Sequence, residues 1–394
     1  MKYNFDEVID RKGTHAVKVE RLPKGADKDS LALWVADMDF ACAEPILKAL
    51  HERIDRKIFG YTMYDADECM DAVTGWMKKR YGWDESRENL FFCPGVVAAY
   101  AALINLLTER GDGIVLQRPI YYPFTNKANS NGRIPVDNAL IYENGAYRID
   151  FEDLDRKMAD PANKVLVVCS PHNPTGRVWE REEIEKAMEI YKANECVVIS
   201  DEIWSDLTLP GFKHIPTQSV SKDARERTIA LYAPSKTFNL AGLVGSYHII
   251  YNRMLRDRVE KASSLSHYNS PNVLSVHALI GAYRPEGYQW VDELREVLKS
   301  NADYAYNYIL EHFKGVKLSK PEGTYMLYLD CEEWCKEHDT DMDTLLKAGV
   351  AVGVIWQDGR PFHRPYAIRL NLALPHVLVK EAFDRMDKYV FNAK

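Results

Sequence analysis

Val165-Leu166-Val167-Val168-Cys169-Ser170-Pro171-His172-Asn173-Pro174-Thr175-Gly176 is an apolar run that stops at a polar turn. A short continuous run rich in Val, bounded by Pro and Gly, reads as a strand buried on both faces. The pattern recurs downstream. Cys196-Val197-Val198-Ile199 runs into Ser200-Asp201-Glu202-Ile203-Trp204, and Thr228-Ile229-Ala230-Leu231-Tyr232 runs into Ala233-Pro234-Ser235-Lys236-Thr237-Phe238-Asn239. Arg181 to Asn194 lies between the first two, with Ile184, Ala187, Met188 and Tyr191 at helical spacing. Upstream, Leu90-Phe91-Phe92 leads through Pro94-Gly95 into a helix-like stretch from Val96 to Glu109. Gly113 to Leu116 and Tyr247 to Ile250 are further short apolar runs. Buried strands alternating with helices predict an α/β domain with a mostly parallel central sheet.

From about residue 284 the texture changes. Tyr288 to Phe313 reads as one long helix, Thr324 to Leu329 and Ala367 to Leu370 as strands, and Val377 to Phe391 as a closing helix. The expectation is a large domain over 46–284, a smaller α+β domain over 285–394, and an N-terminal arm, 1–45, packed on the smaller domain. The 394 residues suit more than one domain. With 46% hydrophobic and 28% charged residues, the chain is expected to be neither disordered nor fibrous. Its 51 basic and 58 acidic residues leave a net charge of −7, poor for binding nucleic acid. No apolar window is long enough to cross a membrane. Met1-Lys2-Tyr3-Asn4-Phe5-Asp6 lacks the apolar core of a secretion signal, so a cytoplasmic protein is expected. Seven scattered cysteines fit reduced thiols, and Cys331 and Cys335 lack a second ligand pair at zinc spacing.

Ligands of open α/β sheets bind beyond the carboxyl ends of the strands. Three such ends here carry Asn173, Asp201 and Lys236. A lysine desolvated at a strand end has a lowered pKa, which frees its amine for Schiff-base chemistry. A partly buried aspartate needs a cationic partner, and a protonated pyridine nitrogen would serve. Asn173 can donate to a phenolate oxygen. Taken singly, the aspartate reads as a helix cap, the lysine as a solvated charge and Asn-Pro-Thr-Gly as a turn. In this order the three supply what pyridoxal 5′-phosphate needs: an aldehyde anchor, a pyridinium partner and a partner for the 3′ oxygen.

The chain resembles the fold-type I pyridoxal-phosphate enzymes, the aspartate aminotransferase superfamily, over nearly its whole length. Ser170 to Gly176 is similar to that family's S-P-x-N-P-T-G segment. Ser200-Asp201-Glu202-Ile203, Ser235-Lys236-Thr237-Phe238-Asn239 and Arg369-Leu370-Asn371 are similar to its strand-end aspartate, Schiff-base and carboxylate-binding segments. The resemblance implies that Lys236 bonds the cofactor and carries protons, and that Asp201 keeps the pyridine nitrogen protonated. It implies that Asn173 bonds the 3′ oxygen and that Arg369 grips the substrate α-carboxylate. Pro119-Ile120-Tyr121 resembles the segment whose aromatic ring stacks on the cofactor. Gly95, Val96 and Val97, with Ser235, match the phosphate-binding positions, where a helix N-terminus favours an anion. Phe59-Gly60-Tyr61 resembles the segment whose tyrosine reaches the phosphate of a neighbouring subunit, which implies a homodimer.

Within that superfamily the chain resembles the MalY/PatB group of cystathionine and cysteine-conjugate β-lyases. The residues that carry this are Phe5 to Thr14, Val35-Ala36-Asp37-Met38-Asp39-Phe40, the extension Gly176-Arg177-Val178-Trp179, and His214-Ile215-Pro216. The implied reaction is α,β-elimination of cystathionine or a related cysteine S-conjugate to a thiol, pyruvate and ammonia. The alternatives are an aminotransferase and a regulatory protein with a vestigial cofactor site. Trp204 stands where the group usually has His or Tyr near the 3′ oxygen. Ala233 stands where the aspartate aminotransferase branch often has serine. Gly353 to Phe362 lacks the usual glycine-rich loop on the substrate side, and Arg360 and Arg364 are candidates for a second carboxylate or for plain surface charges.

Overall fold

A computed structural model describes residues 2–266 and 269–393. In chain order its strands are β1 Leu31–Leu33, β2 Leu90–Cys93, β3 Gly113–Arg118, β4 Ile134–Ala139, β5 Ile141–Glu143, β6 Ala146–Arg148, β7 Asn163–Cys169, β8 Val197–Asp201, β9 Thr228–Tyr232, β10 Ser246–Ile250, β11 Lys317–Leu318, β12 Met326–Asp330, β13 Val354–Asp358 and β14 Ala367–Asn371. A seven-stranded sheet has the order β2-β10-β9-β8-β7-β3-β4. Its β9–β8, β8–β7, β7–β3 and β3–β4 pairs are parallel, and β10 runs antiparallel to β9 and β2. The sheet is mixed with a parallel majority, as expected.

The unbroken apolar runs are explained by two covered faces. Along β7, Val165, Val167 and Cys169 meet Ala99, Tyr100, Leu103 and Ile104 of the helix Val96–Leu107. Leu166 and Val168 point the other way, to Ile184, Ala187, Met188 and Tyr191 of the helix Arg181–Ala193. Each such side chain taken from water contributes about 1.5–3 kcal/mol, so neither face tolerates a polar residue until the strand ends. The second helix starts where Glu183 accepts from the Glu180 amide at 3.0 Å.

A five-stranded sheet has the order β1-β13-β14-β12-β11. Its first strand comes from the N-terminal segment, with Leu31, Ala32 and Leu33 paired in parallel to Val354, Ile355 and Trp356. That segment therefore supplies a strand of the sheet. The long helix Pro285–His312 buries Leu294, Leu298, Ala302, Ala305 and Ile309. Several boundaries differ from expectation, the long helix beginning at Pro285 rather than Tyr288 and the helix after Gly95 ending at Leu107 rather than Glu109, and two differences have a visible cause. β12 begins at Met326 because Thr324 has a left-handed backbone (φ 65°), which ends strand pairing on its N-terminal side. The last helix, His376–Met386, widens into a π turn over Asp387–Phe391, which seats Phe391 against Phe313 with ring centres 4.3 Å apart. No helix among the described residues is long and apolar enough to cross a membrane.

Candidate active site

β7, β8 and β9 lie side by side, so their carboxyl ends open onto one place. There a cavity of about 300 Å³ is lined by Tyr121, Asn173, Asp201, Trp204, Ser235 and Lys236, by Gly95, Val96 and Val97, and by Ala36. Residues from six separate stretches of chain thus meet where the strand ends predict a ligand. Of the expected site residues, Tyr61 and Arg369 are not part of this wall, and Tyr61 is fully exposed.

Asp201 is the last residue of β8 and is buried. The one hydrogen bond to its carboxylate among the described residues comes from the Ile203 amide at 3.2 Å. Burial raises its pKa to about 7, against the pull of that amide and of Lys236. The carboxylate therefore lacks a cation at its own site. Lys236 sits on the short helical turn Pro234–Thr237 that follows β9. Its Nζ donates to the Ala36 carbonyl at 2.8 Å and lies 5.6 Å from the Trp204 ring centre. Burial, with Arg369 nearby, lowers its pKa to about 8, while Asp37 and Asp201 pull the other way. Trp204 is buried edge-on to Tyr325, with ring centres 4.7 Å apart.

Asn173 is buried on the turn after β7, and its Oδ1 accepts from Arg369 Nη1 at 3.0 Å. With that oxygen engaged, the Asn173 amide nitrogen is the atom left to donate to a ligand. Arg369, in β14, stands one contact back from the cavity wall. Its Nη2 donates to the Trp34 carbonyl at 3.1 Å, and its buried Nε has no hydrogen-bond partner among the described residues. Phe362 underlies the guanidinium at 4.9 Å. Tyr121 precedes the helix Tyr122–Ser130, and burial raises its pKa to about 12. Gly95 opens the helix Val96–Leu107 with φ at 102°, a conformation that disfavours any side chain. The free amides of that helix's first turn meet the cavity at Val96 and Val97. Arg360 is paired with Asp343 at 2.7 Å and Asp358 at 2.9 Å, and Arg364 donates to the Leu140 carbonyl. Neither lines the cavity.

The sequence reading assigned no role to the segment 34–39 at the site, although it quoted the motif. Arg11 holds Asp37 and Asp39 at 2.8 and 2.6 Å, and the buried Lys18 reaches Asp39 at 2.8 Å. Asn371 Nδ2 donates to the carbonyls of Val35 and Asp37, and Asn239 exchanges two hydrogen bonds with the Met38 backbone. These ties deliver the Ala36 carbonyl to Lys236. Tyr325, whose hydroxyl donates to the same carbonyl at 3.0 Å, carried no sequence signal.

An α/β sheet that presents lysine, aspartate and asparagine at three adjacent strand ends, beside a helix N-terminus, defines a pyridoxal-phosphate enzyme of fold type I. The family model for class I and II aminotransferases matches residues 28–386, and the chain belongs to that family. It is 39% identical to cystathionine beta-lyase PatB of Bacillus subtilis, over 89% of this chain and 90% of PatB. It is 31% identical to protein MalY of Escherichia coli, over 95% of each chain. The crystal structure of the PLP-bound C-S lyase from Staphylococcus hominis superimposes with a TM-score of 0.91 at 34% identity, covering 98% of both chains. The site fits the cofactor on its own terms. Asp201 is a buried carboxylate short of a cation, and the first-turn amides of Val96 and Val97 face the cavity, while the Gly95 amide donates to Ser246 Oγ at 2.9 Å.

Proposed function

We propose that this protein is a pyridoxal-phosphate-dependent carbon–sulfur β-lyase that acts on cystathionine or a related cysteine S-conjugate. The observation that carries the reading is Lys236, its pKa lowered by burial, facing the same cavity as Asp201 and Asn173. Bound pyridoxal phosphate supplies an electron sink for the pair left when a proton leaves the substrate Cα. Asp201 holds the pyridine nitrogen protonated. Asn173 donates to the 3′ oxygen, and Tyr121 covers a ring face. The amides of Val96 and Val97, with the Ser235 hydroxyl, hold the phosphate, and Gly95, its own amide bound to Ser246 Oγ, lets the chain turn into that helix. Trp204 walls the cavity where it can donate but not accept a hydrogen bond. Arg369, held next to the cavity by its bond to Asn173, takes the substrate α-carboxylate. Lys236 Nζ removes the Cα proton as a general base. The Cβ–S bond breaks, sulfur leaves as a thiol, and water converts the remaining fragment to pyruvate and ammonia.

The protein is proposed to work as a homodimer. Ile58, Phe59, Tyr61 and Met63 are all exposed within six residues, an apolar strip suited to a second copy that would receive Tyr61 at its own site. The domain division near 45 and 284 is retained, since every strand of the large sheet falls between those limits. The cytoplasm is the compartment favoured by seven cysteines that no disulfide joins.

The test is a spectrum and an assay. The purified protein is expected to show a band near about 420 nm that Lys236→Ala loses. L-Cystathionine alone is then expected to yield pyruvate. Pyruvate that appears only with an added 2-oxo acid would replace elimination with transamination, and no band at all would end the cofactor reading.

A further inference from the structure

A second cavity, of about 250 Å³, lies between the end of the helix Asp67–Tyr81, the loop after β8 and one face of the helix Pro285–His312. Its wall carries four cations, Lys79, Arg80, Lys213 and Arg295, against two carboxylates, Asp206 and Asp292. The carboxylates are already engaged. Asp292 accepts from Arg80 Nη1 at 2.6 Å. Asp206 accepts from the Tyr81 hydroxyl at 2.5 Å, Trp76 Nε1 at 3.1 Å and Thr237 Oγ1 at 2.9 Å.

Arg295 is left short of a counter-charge. Its Nε and Nη2 donate to the carbonyl and hydroxyl oxygens of Thr208, and its Nη1 comes no nearer than 3.8 Å to Asp292. Burial and the neighbouring Arg80 both lower its pKa, the signature of an under-compensated cation. Lys213 stands exposed at the rim, without an ion pair among the described residues. His214, on the same wall, faces Glu202 through Nε2 at 2.6 Å, while its buried Nδ1 has no partner among the described residues. A guanidinium nitrogen without a close acceptor, beside surplus positive charge, marks a place where an anion completes the set; His214 Nδ1, an acceptor when Nε2–H donates to Glu202, takes no part in it.

We propose that this cavity binds a small dianion of the phosphate class, separately from the cofactor's phosphate. Two surplus positive charges match the ligand, and Arg295 Nη1 with Lys213 Nζ are the donors left to hold it. The site has a line to the chemistry. Asp206 sits in the cavity wall and accepts from Thr237, the residue after Lys236. It is also joined to the long helix through Asp292 and Arg80, which lies 3.6 Å from Asp206.

The test is calorimetric titration of the holoenzyme, saturated with pyridoxal phosphate, with sodium phosphate at constant ionic strength set by sodium chloride. One site per chain with millimolar affinity is expected. Arg295→Gln is expected to weaken it about tenfold and the rim variant Lys213→Gln about threefold. Glycerol 3-phosphate, titrated in parallel, separates a free ion from a phosphate carried on a larger molecule; tighter binding of either supports the site. Absence of binding in the wild type, or undiminished binding in both variants, overturns the proposal. Lys213→Gln keeps the test open should Arg295→Gln fail to fold, because it lies at the exposed rim.

Discussion

Asp201 and Lys236 carry opposite discomforts that the same cofactor would relieve. Burial shifts each towards its less charged form: the carboxyl rises from 3.8 to about 7, and the amine falls from 10.5 to about 8. A folded pKa above the unfolded one means that the carboxyl's contribution is present in acid and lost as pH rises from 3.8 towards about 7. Asp201→Asn removes that loss. The cofactor-free variant is therefore expected to melt several degrees above the cofactor-free wild type at about pH 8, with the gap closing at about pH 4. The same variant is expected to hold pyridoxal phosphate more weakly, which dialysis followed by absorbance measures. Equal melting curves at both pH values would contradict the burial argument. The amine works in the opposite sense. Its unfolded form binds a proton that the folded form lacks between about pH 8 and 10.5, so stability from this group grows with pH across that window. Lys236→Met, which removes the buried amine, is expected to flatten that rise in the cofactor-free protein, as read by denaturant melts at the two limits.

At the scale of elements, what matters is how a turn after one sheet is locked to the other. Arg177 is buried next to the turn that carries Asn173, and its guanidinium meets Glu322 at 2.5 Å and Glu183 at 2.7 Å. Glu322 precedes β12, and Glu183 lies in the first turn of the helix Arg181–Ala193. One side chain thus joins the loop after β7, a helix of the large sheet and the approach to the small sheet. Arg177→Ala leaves two carboxylates facing each other without their cation, at a cost of about 3 kcal/mol. The measurement is a urea melt, and a loss below about 1 kcal/mol would show that the carboxylates find water instead. By contrast, Asp150 only caps the helix Phe151–Met158, accepting from the Asp153 amide at 2.9 Å. Asp150→Ala is expected to cost about 1 kcal/mol and to leave turnover unchanged.

At the scale of the whole molecule, the prediction concerns two copies of the chain. If Tyr61 completes the partner's site, Lys236→Ala and Tyr61→Ala are each defective alone. Their mixture, after denaturation and refolding together, forms heterodimers with one intact site. Random pairing is expected to restore about a quarter of wild-type sites. A mixture no more active than its components would place Tyr61 outside the site.

Much of this architecture was legible because it obeys local rules. A strand covered on both faces must be apolar along its whole length, so β7, β8 and β9 stood out without alignment, and the residues that broke each run marked the site. The order Asn173, Asp201, Lys236 likewise pointed to the cofactor chemistry, and Arg369 came with the family resemblance. Adjacency was another matter. That Asn371, Asn239 and Arg11 staple the segment 34–39 beside Lys236 depends on contacts between residues up to 336 positions apart, which have no period for a sequence to display. The same holds for Tyr325 against Trp204 and for Arg295 left short of a counter-charge beside Arg80. The sequence by itself determined the kind of sheet and the chemical groups at its edge, because burial and reactivity are properties of residue types. Only the tertiary structure decided which of those groups touch, because hydrogen bonds, desolvation and charge balance arise between residues that the chain brings together by folding.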